Sequence, residues 1–202
     1  MSYQLLKNDV LFYQRMLKSI GLYTGILDGK WGKKTTKADE AFLKIGQEIA
    51  QREGTFDPTS ESNIFTLIPK AQVAVRKYLQ ATINAGYTVK VISGTRTYAE
   101  QNALYRIGRY GSDEPRVTNA KGGQSNHNFG LAWDISIFEY GEYIDDENSY
   151  IELASIIMPQ FTKIEWGGNW KSFKDVPHYQ IKPLDNLVAK TRAKFEKGIE
   201  YA

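Results

Sequence analysis

The 202-residue chain holds two histidines, His127 and His178, and no cysteine. That inventory excludes a thiol nucleophile, a disulfide framework and any all-protein zinc site of the Cys₄, Cys₂His₂ or His₃ type. Two imidazoles and one carboxylate remain a standard ligand set for a catalytic zinc, with a fourth position open to water. The first histidine lies in Ser125-Asn-His127-Asn-Phe-Gly130-Leu-Ala-Trp-Asp134, the second after Trp166-Gly-Gly-Asn-Trp170 in Asp175-Val-Pro-His178. Asp134, between Trp133 and Ile135, is an acid in an apolar stretch, where a carboxylate is costly to bury unless it is paired or binds a metal. With a turn at Gly130, His127 and Asp134 converge, so His127, Asp134 and His178 are the candidate metal ligands.

Asp175 stands three residues before His178, with Pro177 stiffening the approach. From that spacing a carboxylate reaches a water activated at the metal without ligating the metal, the position of a general base. Arg96, in Ser93-Gly-Thr-Arg-Thr, is a candidate donor to the oxyanion of an attacked carbonyl. Singly, each residue also has a structural reading: Asp134 as a turn cap, Asp175 as a surface acid, Arg96 as a solvated loop cation. The joint pattern favours the site.

The elements that must position these groups follow from periodicity. Thr88-Val-Lys-Val-Ile-Ser and Ala132-Trp-Asp-Ile-Ser-Ile read as strands, as do Lys163-Ile-Glu-Trp and His178-Tyr-Gln-Ile. Helical spacing predicts helices over 6–20, from about Thr35, over 64–85, from Ala99 to Tyr105, from Tyr150 to Met158 and in the tail after Pro183. Residues 108–124 read as a loop, and the polar stretch 52–62, with Gly, Pro and Ser clustered, as a linker. Helices and strands mix without regular βαβ alternation, so the expected class is α+β.

Composition adds limits. The 42% hydrophobic and 13% aromatic content suffices for a sizeable core. No run approaches the roughly 20 apolar residues of a membrane span, and the start shows no basic and apolar signal pattern. Residues 1–50 hold eight Lys+Arg against five Asp+Glu, while residues 51–202 hold eighteen of each. The whole net charge of +3 therefore sits in the first quarter, which is either weak attraction to an anionic polymer or chance on a solvated surface. Nucleic-acid binding is disfavoured, because no basic stripe is evident. The acidic run Asp145-Asp146-Glu147 reads as a solvated loop before a Ca²⁺ site.

Ser-x-His-x-x-Gly-x-Ala-x-Asp over 125–134, with the downstream Asp-x-Pro-His, resembles the signature of the M15 (LAS-type) zinc peptidases. Ser93-Gly-Thr-Arg96-Thr-Tyr-Ala-Glu-Gln101 is similar to that family's Ser-x-x-Arg-Ser-x-x-x-Gln segment. The resemblance implies a small antiparallel sheet with flanking helices over 60–182. It also implies Zn²⁺ on His127, Asp134 and His178, Asp175 as base, Arg96 stabilising the transition state, and Ser125 and Gln101 lining the site. Trp170 and Tyr179 are expected to contact substrate. Asp stands at the base position where many members carry Glu, and this leans toward the phage-endolysin type.

The first 52 residues resemble a second family, the helical peptidoglycan-binding domain. The resemblance rests on Gly21-Leu-Tyr-Thr-Gly25-Ile-Leu-Asp28-Gly29-Lys-Trp31-Gly32, with Ala38 and Phe42 following. Asp39 departs from a usually apolar position. Tyr23, Asp28 and Trp31 are the implied wall contacts. Together the resemblances imply three segments: a small all-α wall-binding module (1–52), a zinc peptidase (60–182) and a helical tail (183–202). The implied activity is peptidoglycan hydrolysis at the L-alanyl-D-glutamate bond by an endolysin-like bacteriophage enzyme. That enzyme would be a monomer, kept in the cytoplasm until it is released to the wall. The alternatives are a D-alanyl-D-alanine carboxypeptidase of the same fold and a non-catalytic wall-binding protein.

Overall fold

In the computed structural model residues 3–202 are described, with side chains from Leu6 onward. Alternating apolar residues build the sheet that carries the site. Thr88–Ser93 (β1), Ala132–Glu139 (β2), Glu142–Ile144 (β3), Ile164–Trp166 (β4) and His178–Ile181 (β5) form one antiparallel sheet in the order β1-β2-β5-β4, with β3 added on β2. The flanking helices are Tyr3–Asn8 (α1), Val10–Ser19 (α2), Lys33–Glu53 (α3), Pro58–Ile64 (α4), Pro69–Asn84 (α5), Tyr98–Arg106 (α6), Glu147–Ile157 (α7) and Val188–Lys197 (α8). The class is α+β, as the mixed pattern predicts.

Local chemistry sets the boundaries where they differ from the sequence reading. The helix expected over 6–20 is broken at Asp9, whose carboxylate accepts the Phe12 N–H at 3.0 Å and so starts α2. The stretch 52–62 is not a free linker. Asp57 caps α4, Pro58 occupies its first turn, and buried Ser60 and Asn63 bond the Val91 backbone N–H and C=O at 2.9 Å each. These polar side chains face inward because β1 offers backbone groups that need partners. At the other side of α4, fully buried Arg76 makes a two-pronged ion pair with Glu61, both distances 2.7 Å.

A single apolar core runs from Leu6 to Tyr201. The N-terminal helices join it through an aromatic cluster: Phe12 meets Phe195 at 5.0 Å and Tyr98 at 5.8 Å, and Phe195 meets Phe129 at 5.4 Å between ring centroids. Tyr201 donates to the Phe129 carbonyl at 2.7 Å, which ties the tail to the turn just after His127. Asp39 is accommodated inside the N-terminal unit by the Tyr13 hydroxyl and the Lys7 ammonium, both at 2.8 Å. Among the described residues no helix is long and apolar enough to cross a membrane.

Candidate metal centre and active site

Strand register delivers two of the three candidate ligands. Asp134 on β2 lies directly across from His178 on β5, so their side chains leave the same face of the sheet. His127 arrives from a 3₁₀ turn, Asn126–Phe129, which Ser125 caps before the chain turns at Gly130 into β2. Nε2 of His127, Oδ1 of Asp134 and Nδ1 of His178 then form a nearly equilateral triangle with edges of 3.1, 3.2 and 3.1 Å. Among the described residues it is the one group of three or more His and acidic side chains that could hold a metal ion. A tetrahedral ion with bonds of about 2.0–2.1 Å spaces its ligands about 3.3–3.4 Å apart, so the triangle matches zinc within a few tenths of an ångström.

The atoms behind the triangle set its chemistry. His127 Nδ1 lies 2.7 Å from the Gly94 carbonyl. A C=O only accepts, so Nδ1 carries the proton and Nε2 turns its lone pair to the centre. Residue 94 must be glycine for this approach, because a Cβ there would meet Asn63 O and Thr66 Oγ1 at 2.4 Å. Burial drives the His127 pKa down to about 4 against the pull of Asp134, so the ring is neutral at pH 7. Burial opposes ionisation of Asp134, but His127, His178 and Arg96 outweigh it and hold the carboxyl well below the usual range. His178 is likewise opposed by burial, yet Asp134 and Gln180 raise its pKa. The centre is thus faced by an ionised carboxylate and a neutral His127 imidazole.

Arg96 reaches into the same space. Its Nη2 donates to Asp134 Oδ2 and lies 3.0 Å from His127 Nε2. Ser93 Oγ and Gln101 Oε1 hold its other nitrogens at 3.0 and 3.2 Å. Asp175 lines the cleft beside them. Burial raises its carboxyl pKa, and the Asp134 charge adds to the rise. Gly167 makes room for this segment, since a Cβ there would meet the Asp175 carbonyl at 2.5 Å. The cleft is about 530 Å³ in volume. Ser125 and Trp170 both line it, and the Trp170 ring sits 4.8 Å from that of His178.

Two expected substrate contacts are elsewhere. Tyr179 is fully buried against Tyr78 at 4.6 Å between ring centroids, because alternation along β5 sends it to the face opposite His178. Gln101 is also fully buried. It works from behind Arg96, donating from Nε2 to the Ala120 carbonyl at 2.9 Å and so bracing the loop that forms one wall.

In the N-terminal unit, Tyr23 is buried and donates to the Ile26 carbonyl at 2.8 Å. Asp28 turns inward to Gln14 Nε2 and the Lys30 N–H, both at 3.0 Å. Both therefore shape the loop around the buried Gln14 amide. Trp31 is 40% exposed and stacks on Tyr13.

Sequence reasoning passed over several residues at the site. Asn128, fully buried, donates to the Arg96 carbonyl at 2.9 Å and accepts from the Gly123 N–H at 2.9 Å. Gln180 and Asn126 line the cleft, and so do Ile92, Val117 and Phe173, three apolar side chains left about half exposed at its rim. The signal for Gln180 was present: it lies two residues from His178 on a strand and so shares its face.

A buried His–Asp–His triangle at a sheet face, with an acid and an arginine in the same cleft, defines a metallohydrolase. Residues 118–181 match the M15 peptidase family described as D-alanyl-D-alanine carboxypeptidase. The chain is 35% identical over 155 residues to CwlK, a peptidoglycan L-alanyl-D-glutamate endopeptidase of Bacillus subtilis (strain 168), covering 72% of this chain and 89% of that protein. Among solved structures, the L-Ala D-Glu endopeptidase ChiX of Serratia marcescens aligns with a TM-score of 0.50 at 25% identity, over 63% of this chain and 89% of that one. The vancomycin-resistance D,D-pentapeptidase VanY, in complex with Zn(II), aligns with a TM-score of 0.43 at 16% identity, over 66% of this chain and 80% of that one. The chain belongs to the M15 family of zinc peptidases.

Proposed function

We propose that this protein is a peptidoglycan endopeptidase that hydrolyses the L-alanyl-D-glutamate bond of the stem peptide. The observation that carries the choice of bond is the 35% identity to CwlK, which extends over 89% of that endopeptidase. The carboxypeptidase reading is favoured by the description of the family matched over 118–181, a third of the chain.

His127, Asp134 and His178 would hold Zn²⁺. When bound, it supplies Lewis acidity toward the scissile carbonyl and lowers the pKa of water beside it. Asp175 is the proton acceptor, because it is the carboxylate in the cleft left free of the triangle. Its raised pKa also lets it keep the proton and deliver it to the departing amine. Arg96, pinned by Ser93 and Gln101, presents fixed N–H groups where charge develops on the carbonyl oxygen. Trp170 and the apolar side chains at the rim line the approach to the site.

The proposal extends to the first quarter of the chain as a wall-anchoring surface that raises the local substrate concentration. Its supports are the +3 charge surplus and the partial exposure of Trp31. Deployment as an endolysin, stored in the cytoplasm and released to the wall, belongs to the same proposal.

Release of free amino groups from purified sacculi tests the enzymatic reading. Release that stops on chelation and returns with zinc supports it. A protein that binds sacculi yet releases no amino groups with zinc added is a wall-binding protein instead.

A further inference from the structure

His178 is the ligand whose orientation the backbone does not settle. It meets the centre through Nδ1, and its other nitrogen, Nε2, lies 3.0 Å from Oε1 of Gln180. A glutamine amide can turn either end to a neighbour. With oxygen facing the ring, Nε2 keeps the proton and Nδ1 offers its lone pair to the centre. With nitrogen facing the ring, Nε2 must accept and the proton moves to Nδ1, where it blocks the centre. The amide's orientation therefore decides whether His178 can be a ligand.

A residue on the neighbouring strand makes that choice. Glu165 on β4 lies directly across from Gln180 on β5. Glu165 Oε2 accepts from Gln180 Nε2 at 2.8 Å, and Lys182 stands 3.2 Å from Glu165 Oε1. A carboxylate has no proton to give, so the amide nitrogen must face Glu165 and the oxygen must face His178. Asn126 Nδ2 donates to the same Gln180 oxygen at 2.9 Å and braces it. Asn126 is itself an amide that could reverse, so it supports the orientation without determining it. Glu165 is the one member of the chain with a fixed polarity.

We infer that Glu165, acting through Gln180, is a positioning residue that holds His178 in the Nε2–H form with Nδ1 free for a metal ion. The inference rests on the reading of His127, Asp134 and His178 as the zinc site. It adds that the information passes through two side chains, from a carboxylate outside the ligand triangle.

The test compares zinc affinity, by competition with a chromogenic chelator, in wild type, Glu165→Gln and the exchanged double variant Glu165→Gln/Gln180→Glu. Glu165→Gln is close in shape but offers the Gln180 amide either polarity, and affinity falls about tenfold or more. In the exchanged variant the carboxylate at 180 accepts the His178 Nε2 proton directly, and the amide at 165 donates to it. Affinity then returns close to the wild-type value, which a merely structural role would not produce. Imidazole ¹⁵N shifts of the metal-free protein, at a pH where His178 is neutral, read the tautomer directly. Ionised Asp134, with Oδ1 3.2 Å from Nδ1, draws part of the proton to that nitrogen in every metal-free variant. The reading is therefore a difference: Nε2 is more fully protonated in wild type and the exchanged variant than in Glu165→Gln. Unchanged affinity and an unchanged tautomer in Glu165→Gln overturn the inference, as does a loss that the exchange fails to rescue. A wild type that binds no zinc refutes the metal-site reading instead, while the ¹⁵N shifts still report on the Glu165–Gln180 chain.

Discussion

Asp134 and His178 face each other across the β2–β5 ladder, and Asp134 Oδ1 lies 3.2 Å from His178 Nδ1. The sheet itself thus fixes one edge of the ligand triangle, and only His127 has to be brought in by a turn. Because two ligands are set by main-chain pairing, the site has little freedom to adapt to a lost ligand.

Removing a ligand should therefore abolish binding outright. His127→Ala, Asp134→Ala and His178→Ala are each expected to drop zinc content from about one equivalent to near zero, since three protein ligands are the minimum for such a site. Metal analysis of the purified variants checks this. The chain has no third histidine or any cysteine to substitute.

Asp175 separates catalysis from stability. Its folded pKa is raised, by burial first and by Asp134 second. A carboxyl of this kind stabilises the fold when protonated, below its unfolded pKa, and that contribution is lost as pH rises through the folded value. At neutral pH its charge therefore weighs against the fold. Asp175→Asn should leave the thermal midpoint of the metal-free protein unchanged or higher at pH 7, while kcat falls about 10²–10⁴-fold. Thermal melts and initial rates on the same preparation measure both.

Arg76 and Glu61 carry the opposite balance. With Arg76 fully buried, breaking the pair strands a charge, at about 3–5 kcal/mol. Arg76→Ala should lower the melting temperature by about 6–20 °C in a chain of this size. The pair lies outside the cleft, so the rate per folded molecule should be retained below the transition.

Phe173 is 47% exposed at the cleft rim with φ +52°, a left-handed backbone that non-glycine residues seldom adopt. A large apolar side chain left open at the cleft rim offers a surface on which an incoming peptide can bury apolar area. Phe173→Ala should raise KM about 5–30-fold, equivalent to about 1–2 kcal/mol of lost apolar burial, with kcat kept. Steady-state kinetics on a soluble stem-peptide fragment separates the two parameters.

Trp31 is the test of the wall-anchoring proposal. Its ring stacks on Tyr13 at 6.1 Å, the Lys7 ammonium lies 5.5 Å from the ring centroid and its Nε1 donates to Thr36 Oγ1 at 3.0 Å, yet the residue stays 40% exposed. Trp31→Ala should weaken co-sedimentation with sacculi while cleavage of a soluble fragment is unchanged.

How far the sequence was legible depended on how local the cause was. His127 and His178 stood out because histidine is scarce in this chain, and Asp134 because its neighbours Trp133 and Ile135 are apolar. β1 and β5 were legible because β-branched and aromatic residues alternate there. Tyr179 and Gln101 were misassigned because proximity in sequence to a ligand says nothing about which face a side chain takes. β5 alternates Tyr179 away from the cleft, and α6 turns Gln101 under Arg96. The helix α4 was hidden in a Ser- and Pro-rich stretch, since its polar residues are bought into the interior by the unpaired backbone of β1, a partner about 30 residues away in sequence. The role of Glu165 was invisible for the same reason: only the β4–β5 register places it beside Gln180.

Sacculi digested with the zinc-loaded enzyme, with the new chain ends identified by mass spectrometry, test the central claim most directly. The account predicts fragments with new alanine carboxyl termini and new glutamate amino termini, absent when Asp175→Asn is used or the metal is removed. Free D-alanine as the released product, or the same glutamate amino termini from the metal-stripped enzyme, would contradict it.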